Sequence, residues 1–252
     1  MDNTLKGLIV GVANEHSIAY GCARILKQKG ADLALTYQNE KAKPFVAPLA
    51  EKLQASMFLP LDVTKPEEQQ ALFEAISQTW GRLDFLIHSI AFAPKADLHG
   101  RVLDSSAAGF AVAMDVSCHS LVRLARAAET LMTQGGSIVT MSYYGAEKVV
   151  PNYHIMGPVK AALEAVVREL STELGPKKIR INALSPGPIK TRAASGLAHF
   201  DALMEKAASI APLHQLVTID DVGHMAAFLV SPSAAAMTGQ VIYVDAGYHA
   251  VA

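Results

Sequence analysis

The residues best suited to chemistry lie in one segment, YYGAEKVVPNYHIMGPVK, from Tyr143 to Lys160. It carries three phenols, Tyr143, Tyr144 and Tyr153, and ends on a lysine. A phenol can donate a hydrogen bond or a proton to an oxygen that gains negative charge. A nearby ammonium favours the phenolate and makes such a phenol a better acid. Tyr153 and Lys160 are seven residues apart. On one helix, two turns would place them on one face, about 10.5 Å apart along the axis, where two long side chains can meet one ligand. Met156, four residues before the lysine, is a thioether with no proton to give. Nine histidines and two cysteines, Cys22 and Cys118, show no metal-ligand spacing, and neither H-E-x-x-H nor G-x-S-x-G occurs. No metal is expected.

Such residues need elements to hold them. Apolar runs at 6–13, 31–37, 56–62, 83–91, 136–142, 178–186 and 240–247 read as strands. Amphipathic segments at 17–30, 41–54, 65–81, 106–132, 153–174 and a pair between 199 and 230 read as helices. Pro66, with two glutamates behind it, marks a helix start. Near-continuous apolar strands alternating with helices predict a parallel sheet covered on both faces. With seven strands, no repeat and no break in composition, the prediction is α/β: a single Rossmann-type doubly wound domain over 1–252. Composition agrees with a globular chain that buries a substantial core: 252 residues, 51% hydrophobic, 18% charged, net charge −1. No Lys/Arg cluster suggests a nucleic-acid or membrane surface, no apolar run is long enough to span a bilayer, and no signal peptide is legible. A cytoplasmic setting is expected.

Ligands of such sheets sit beyond the carboxyl ends of the strands. After the first strand, GVANEHSIAYG offers Gly11 for a sharp turn. Ser17 could cap a helix whose first N–H groups, Ile18 onward, could hold a pyrophosphate, and Gly21 would let helix and strand approach closely. A strict G-x-G-x-x-G is absent, so this stretch alone is equally an ordinary loop. Gln38 ends the second strand and could bond the ribose hydroxyls of a dinucleotide. The absence of Arg or Lys at 38 and 39 favours NADH over NADPH. Asp62 and Val63 end the third strand; the carboxylate could accept from an adenine amino group or cap its own loop. Ser89 and Ile90 end the fourth.

Together with these, the stretches LTYQNEK, HSIAFAP, SYYGAEKVVPNYHIMGPVKAALEA, RINALSPGPIKTRAASG and TIDDVGHMAAFLVSPSAAAMTGQVIYVDAGYH span almost the whole chain. In this order they resemble the short-chain dehydrogenase/reductases, most closely their divergent branch, the bacterial enoyl-[acyl-carrier-protein] reductases. The motif P-N-Y-x-x-M-G-x-x-K is the most specific part. The resemblance implies the fold, NADH as cofactor, an acyl-carrier-protein or coenzyme A thioester as substrate, and a homotetramer. Main-branch members carry Ser-x12-Tyr-x3-Lys. Here Tyr143 and Met156 stand in the serine and tyrosine places, so the pair used on ketones and alcohols is missing. By resemblance Tyr153 binds the thioester oxygen, Lys160 holds the nicotinamide ribose, and Tyr143 lines the acyl pocket with Ala91, Phe92, Ala93 and Met156. Tyr144 is read as packing or rim. Pro188, Ile189 and Thr191 of SPGPIKT would face the nicotinamide amide and the pyrophosphate. Residues 191–211 would form a lid. Pro158, Pro186 and Ala91 depart from the family's common residues. Two other readings stay open here: a reductase of ketones or alcohols, and a cofactor-binding regulator without catalysis.

Overall fold

Seven apolar runs form strands in the computed structural model, which describes residues 4–192 and 200–252. They are β1 (Lys6–Val10), β2 (Asp32–Tyr37), β3 (Met57–Pro60), β4 (Phe85–His88), β5 (Gly136–Met141), β6 (Ile179–Pro186) and β7 (Val241–Val244). All pair in parallel, in the order β3-β2-β1-β4-β5-β6-β7. The long helices are α1 (Ile18–Gln28), α2 (Lys43–Lys52), α3 (Pro66–Trp80), α5 (Ala107–Met114), α6 (Ser120–Glu129), α7 (Met156–Leu174), α8 (Phe200–Ile210) and α9 (Ile219–Val230); a single turn, α4, covers Lys95–Leu98. Among the described residues no helix is long and apolar enough to cross a membrane.

The strands are apolar throughout because both faces of the sheet are covered. Along β1, Leu8 and Val10 point into one core with α3, α6 and α7, and Ile9 points into the other with α1, α2 and α9. The chain passes from β1 to β2 and β3, then returns across the sheet to β4 on the other side of β1. This reversal opens a crevice at the carboxyl ends of β1 and β4, the usual ligand position. Gly11 stands there with φ +107°, and a Cβ on it would lie 2.0 Å from the Ser89 carbonyl oxygen. Only glycine fits between these strand ends.

Three details differ from the sequence reading. The helix expected over 106–132 is interrupted: α5 and α6 are joined by one π turn, Asp115–His119. The helix expected from 153 starts at Met156, because Asn152 and His154 have left-handed φ values of 64° and 45° that no α-helix accepts. Tyr153 therefore precedes the helix, and the two-turn geometry expected for Tyr153 and Lys160 does not exist. Gly21 serves α9, not a strand: a Cβ there would sit 2.3 Å from the Ile219 carbonyl oxygen, so the glycine lets α1 and α9 cross at close range. Part of the expected lid, residues 193–199, lies outside the described residues; its remainder includes α8, which packs through Ala207, and Ala211 just after it is buried as well.

Candidate active site

Beyond the end of β5, residues 142–155 fold back over the sheet edge before α7 begins. Tyr143 is extended, with φ −159° and ψ 147°. Its ring meets that of Tyr153 edge-on, centroids 4.8 Å apart at 62°. Gly145 makes room for this pair, since a Cβ there would lie 2.4 Å from Cδ1 of Tyr153. From the second turn of α7, Lys160 runs inward, is 4% exposed, and donates through Nζ to the Met141 carbonyl at the end of β5 (2.7 Å). One turn later, Glu164 accepts a short hydrogen bond from Ser142 Oγ. Consecutive residues at the end of β5 are thus tied to consecutive turns of α7, which fixes the backbone leading into Tyr143. Met156 is buried at the first position of α7, where its N–H donates to the Tyr153 carbonyl. Tyr144 turns away: its Oη donates to the Ala252 carbonyl (2.7 Å) and its ring packs on Tyr248.

The electrostatics suit donors rather than bases. Burial, with smaller contributions from Tyr143 and Glu164, pushes Tyr153 well above the usual phenol range. Burial does the same to Tyr143. Both are neutral donors at any physiological pH. Lys160 is drawn down to about 8 by burial, against which Cys118 and Glu164 act to raise it. Burial also raises the Glu164 carboxyl. The hydroxyl of Tyr143 is buried and finds no partner among the described residues, and the same holds for Ser185 Oγ near the end of β6. Leaving a buried donor unpaired costs roughly 1–3 kcal/mol, so such atoms suit a polar group brought by a ligand.

Behind this site a second polar layer holds the β4 end. His88 is fully buried between Thr140 Oγ1 on Nδ1 (2.8 Å) and Ser120 Oγ on Nε2 (2.9 Å). Ser120 Oγ donates to the Val116 carbonyl, so it accepts from Nε2–H, and Nδ1 accepts from Thr140. Burial and the neighbouring Lys160 charge lower His88 to about 3, keeping it neutral. In the π turn, Ser117 Oγ accepts from Phe92 N (2.8 Å) and donates to Phe92 O (2.9 Å), clamping the loop after β4. In that loop Ser89 and Ile90 are partly buried, Ala91 and Phe92 exposed, and Ala93 buried.

The other predicted residues spread along the same sheet edge. Ser17 occupies the N-cap position of α1, but its hydroxyl does not cap the helix as expected. It turns back to accept from Ala13 N and Asn14 N and to donate to the Asn14 carbonyl, because the intervening turn brings those groups nearer than the helix N–H groups. α1 opens at Ile18 after the loop that leaves β1, and no side chain caps its first N–H groups, which have no acceptor within the helix. Gln38 is exposed beyond β2. Asp62 Oδ1 accepts from Thr64 N and Oγ1, a local turn that leaves Oδ2 for an outside donor. Pro188 is buried, Ile189 partly buried, and Thr191 N donates to the Ile189 carbonyl. Pro186 pairs with Val244 beyond the last β5–β6 pair, Met141–Leu184, so its missing N–H removes no bond to β5.

This arrangement has known counterparts. Residues 11–249 match the family model described as "Enoyl-(Acyl carrier protein) reductase". The chain belongs to that family. It is 48% identical over 244 residues to the NADH-dependent enoyl-[acyl-carrier-protein] reductase FabI of Rickettsia felis, covering 97% of this chain and 94% of the relative. The enoyl-(acyl-carrier-protein) reductase of Anaplasma phagocytophilum, solved in complex with NAD, superposes with a TM-score of 0.94 at 46% identity, covering 98% of this chain and 94% of that one. The Bacillus cereus enoyl-acyl carrier protein reductase, solved with NADP+ and indole naphthyridinone, gives 0.96 at 44% identity, with 98% and 97% covered.

Within this enoyl reductase framework, several functional side chains escape a reading of the sequence. His88 of β4 bonds Ser120 of α6, and Ser117 of the π turn bonds Phe92 in the loop after β4, each pair more than twenty residues apart along the chain. A serine pair three apart in an apolar helix was their only local signal. Glu164, a carboxylate one turn after Lys160 in an otherwise apolar stripe, was legible as unusual, but its partner Ser142 was not.

Proposed function

We propose that the chain reduces the 2,3-double bond of a trans-2-enoyl thioester carried on acyl carrier protein or coenzyme A, with NADH as cofactor. One observation carries the reading: two neutral phenols, the buried Tyr153 and the partly buried Tyr143, meet edge-on just before the helix that carries the buried Lys160, and the buried Tyr143 hydroxyl has no partner among the described residues. Bound NADH supplies the hydride that C3 of the substrate receives. Negative charge then gathers on the thioester oxygen. Tyr153 donates a hydrogen bond to that oxygen and stabilises the enolate, and a proton taken up at C2 completes the saturated thioester. Lys160, charged below pH 8, holds the nicotinamide ribose and lends positive potential to the site. Tyr143 lines the acyl pocket with Ala91, Phe92, Ala93 and Met156.

Toward the cofactor, Gly11, Ser17, Ile18, Ser89 and Ile90 border the pyrophosphate crevice. Pro188, Ile189 and Thr191 border the nicotinamide, and Gln38, Asp62 and Val63 the adenosine. Glu40, two residues beyond Gln38, is paired with Lys43, so local charge alone does not separate NADH from NADPH. The names of the curated relatives, NADH-dependent reductases, support NADH, while the Bacillus cereus structure holds NADP+.

NADH oxidation tests the reading, with a 2-enoyl thioester beside a 3-oxoacyl thioester, in the wild type and Tyr153→Phe. Turnover of the enoyl substrate alone, reduced in the variant, is the expected result. Turnover of the oxo substrate alone would make the chain a ketone reductase. NADH binding without turnover would make it a cofactor-binding regulator.

A further inference from the structure

On the face of the π turn opposite Ser117, a second network reaches the far end of the site. Arg123 on α6 donates from Nη1 to Asp115 Oδ1 (2.5 Å) and from Nη2 to Asp115 Oδ2 (3.3 Å), a fork on a carboxylate. His119 Nδ1 lies 2.8 Å from Nη1. The same Nη2 donates to the main-chain carbonyl of Val63 (2.9 Å), sixty residues away in the loop after β3. Gln69 on α3 adds a bond from Nε2 to the Arg123 carbonyl (3.1 Å). Asp115 orients the guanidinium, and the guanidinium holds a carbonyl that would otherwise be buried without a donor.

The loop so held bears the features of an aminopurine site. Asp62 keeps one carboxylate oxygen uncommitted among the described residues, while its other oxygen and its N–H are bound within the loop and to Glu68. Val63 is buried beside it. The main chain at Val63 sets the direction of both side chains, and its only tether outside the β3–α3 hairpin among the described residues is Arg123.

We propose that Arg123, oriented by Asp115, is a positioning residue for the adenine half of the cofactor site. The proposal rests on the NADH reading above. Its signature is confined to one ligand. Arg123→Met should weaken NADH and AMP binding by roughly tenfold, the loss of one charge-assisted hydrogen bond, and raise the KM for NADH by a similar factor. The kcat and the KM for the enoyl thioester should change by less than about twofold. Arg123→Lys keeps the charge but loses the fork, so its NADH affinity should lie between the two.

The experiment is fluorescence titration of NADH, competition by AMP, steady-state kinetics and size-exclusion chromatography of the wild type and both variants. A folded Arg123→Met that binds NADH and AMP like the wild type overturns the proposal. So does a loss spread equally over kcat and both KM values, or a loss that tracks a change in oligomer size. If Arg123→Met fails to fold, unchanged NADH affinity in Arg123→Lys overturns it. A wild type that binds no NADH sinks the cofactor reading as well; a variant indistinguishable from a wild type that does bind sinks only the role of Arg123.

Discussion

Tyr153 is a donor because it is buried, and its value is tested by removing only the hydroxyl. Tyr153→Phe should lower kcat about 10²–10³-fold, as for loss of one donor to a developing oxyanion, while NADH affinity measured by fluorescence stays unchanged. Lys160 gives a pH signature. Its ammonium is lowered from 10.5 to about 8, so it is charged below that pH and neutral above. Positive potential is therefore lost as pH rises through 8. The profile of kcat/KM for NADH, which reports the free enzyme, should fall on an alkaline limb near 8, and Lys160→Arg should remove that limb whatever its residual rate. His88 acts on stability instead. Its folded value of about 3 lies below the unfolded 6.5, so the unfolded chain binds the extra proton as pH falls from 6.5 toward 3. The stability present above 6.5 is lost in that window, by about 2 kcal/mol between pH 7 and 5. Denaturant melts at the two pH values should show this loss in the wild type and a smaller one in His88→Gln; equal losses would refute the assignment.

At the scale of elements, the start of α7 decides whether Pro158 is harmful. Met156 opens the helix, so Pro158 is its third residue, among the first four whose N–H groups have no acceptor inside the helix. Pro158→Ala should change unfolding free energy by less than about 1 kcal/mol and leave kcat nearly unaltered. The crossing of α1 and α9 is the opposite case. Gly21 meets the Ile219 carbonyl, and a Cβ on Gly223 would lie 2.7 Å from the Gly21 carbonyl oxygen, so neither backbone can yield without parting the helices. Gly21→Ala should destabilise the fold by at least about 2 kcal/mol in urea titration. Because α1 begins at the cofactor crevice, weaker NADH binding should accompany the loss.

For the whole molecule, the homotetramer that the resemblance implies is open to a direct measurement. Light scattering should give about four times the 26.8 kDa of one chain; the mass of a single chain would refute it. A doubly wound sheet puts every strand's carboxyl end on one edge, and that alone gathers Gly11, Gln38, Asp62, Ser89, Tyr143 and Pro188 along a single border from segments spread over most of the sequence.

The alternation of apolar runs with helices was enough to predict the seven strands and their parallel pairing, because period and burial are written locally; the family came from the motifs at the strand ends, not from that alternation. Tyr153 and Lys160 were singled out by residue type, spacing and the family motif. The backbone around Tyr153 was not legible: left-handed turns at Asn152 and His154 end any helix before it, and its ring packs against Gly145 and Tyr143. Ser17 was placed correctly at the start of α1 and given the wrong bond, since a hydroxyl can serve either of two nearby sets of N–H groups and only the folded loop chooses. The supports of the site, His88 with Ser120, Ser117 with Phe92, Ser142 with Glu164 and Arg123 with Val63, join residues 22 to 60 positions apart. Such bonds exist only once the sheet has brought its strand ends together. Sequence patterns carry the elements, and tertiary contact decides which polar atoms in them are shared and which are left for a ligand.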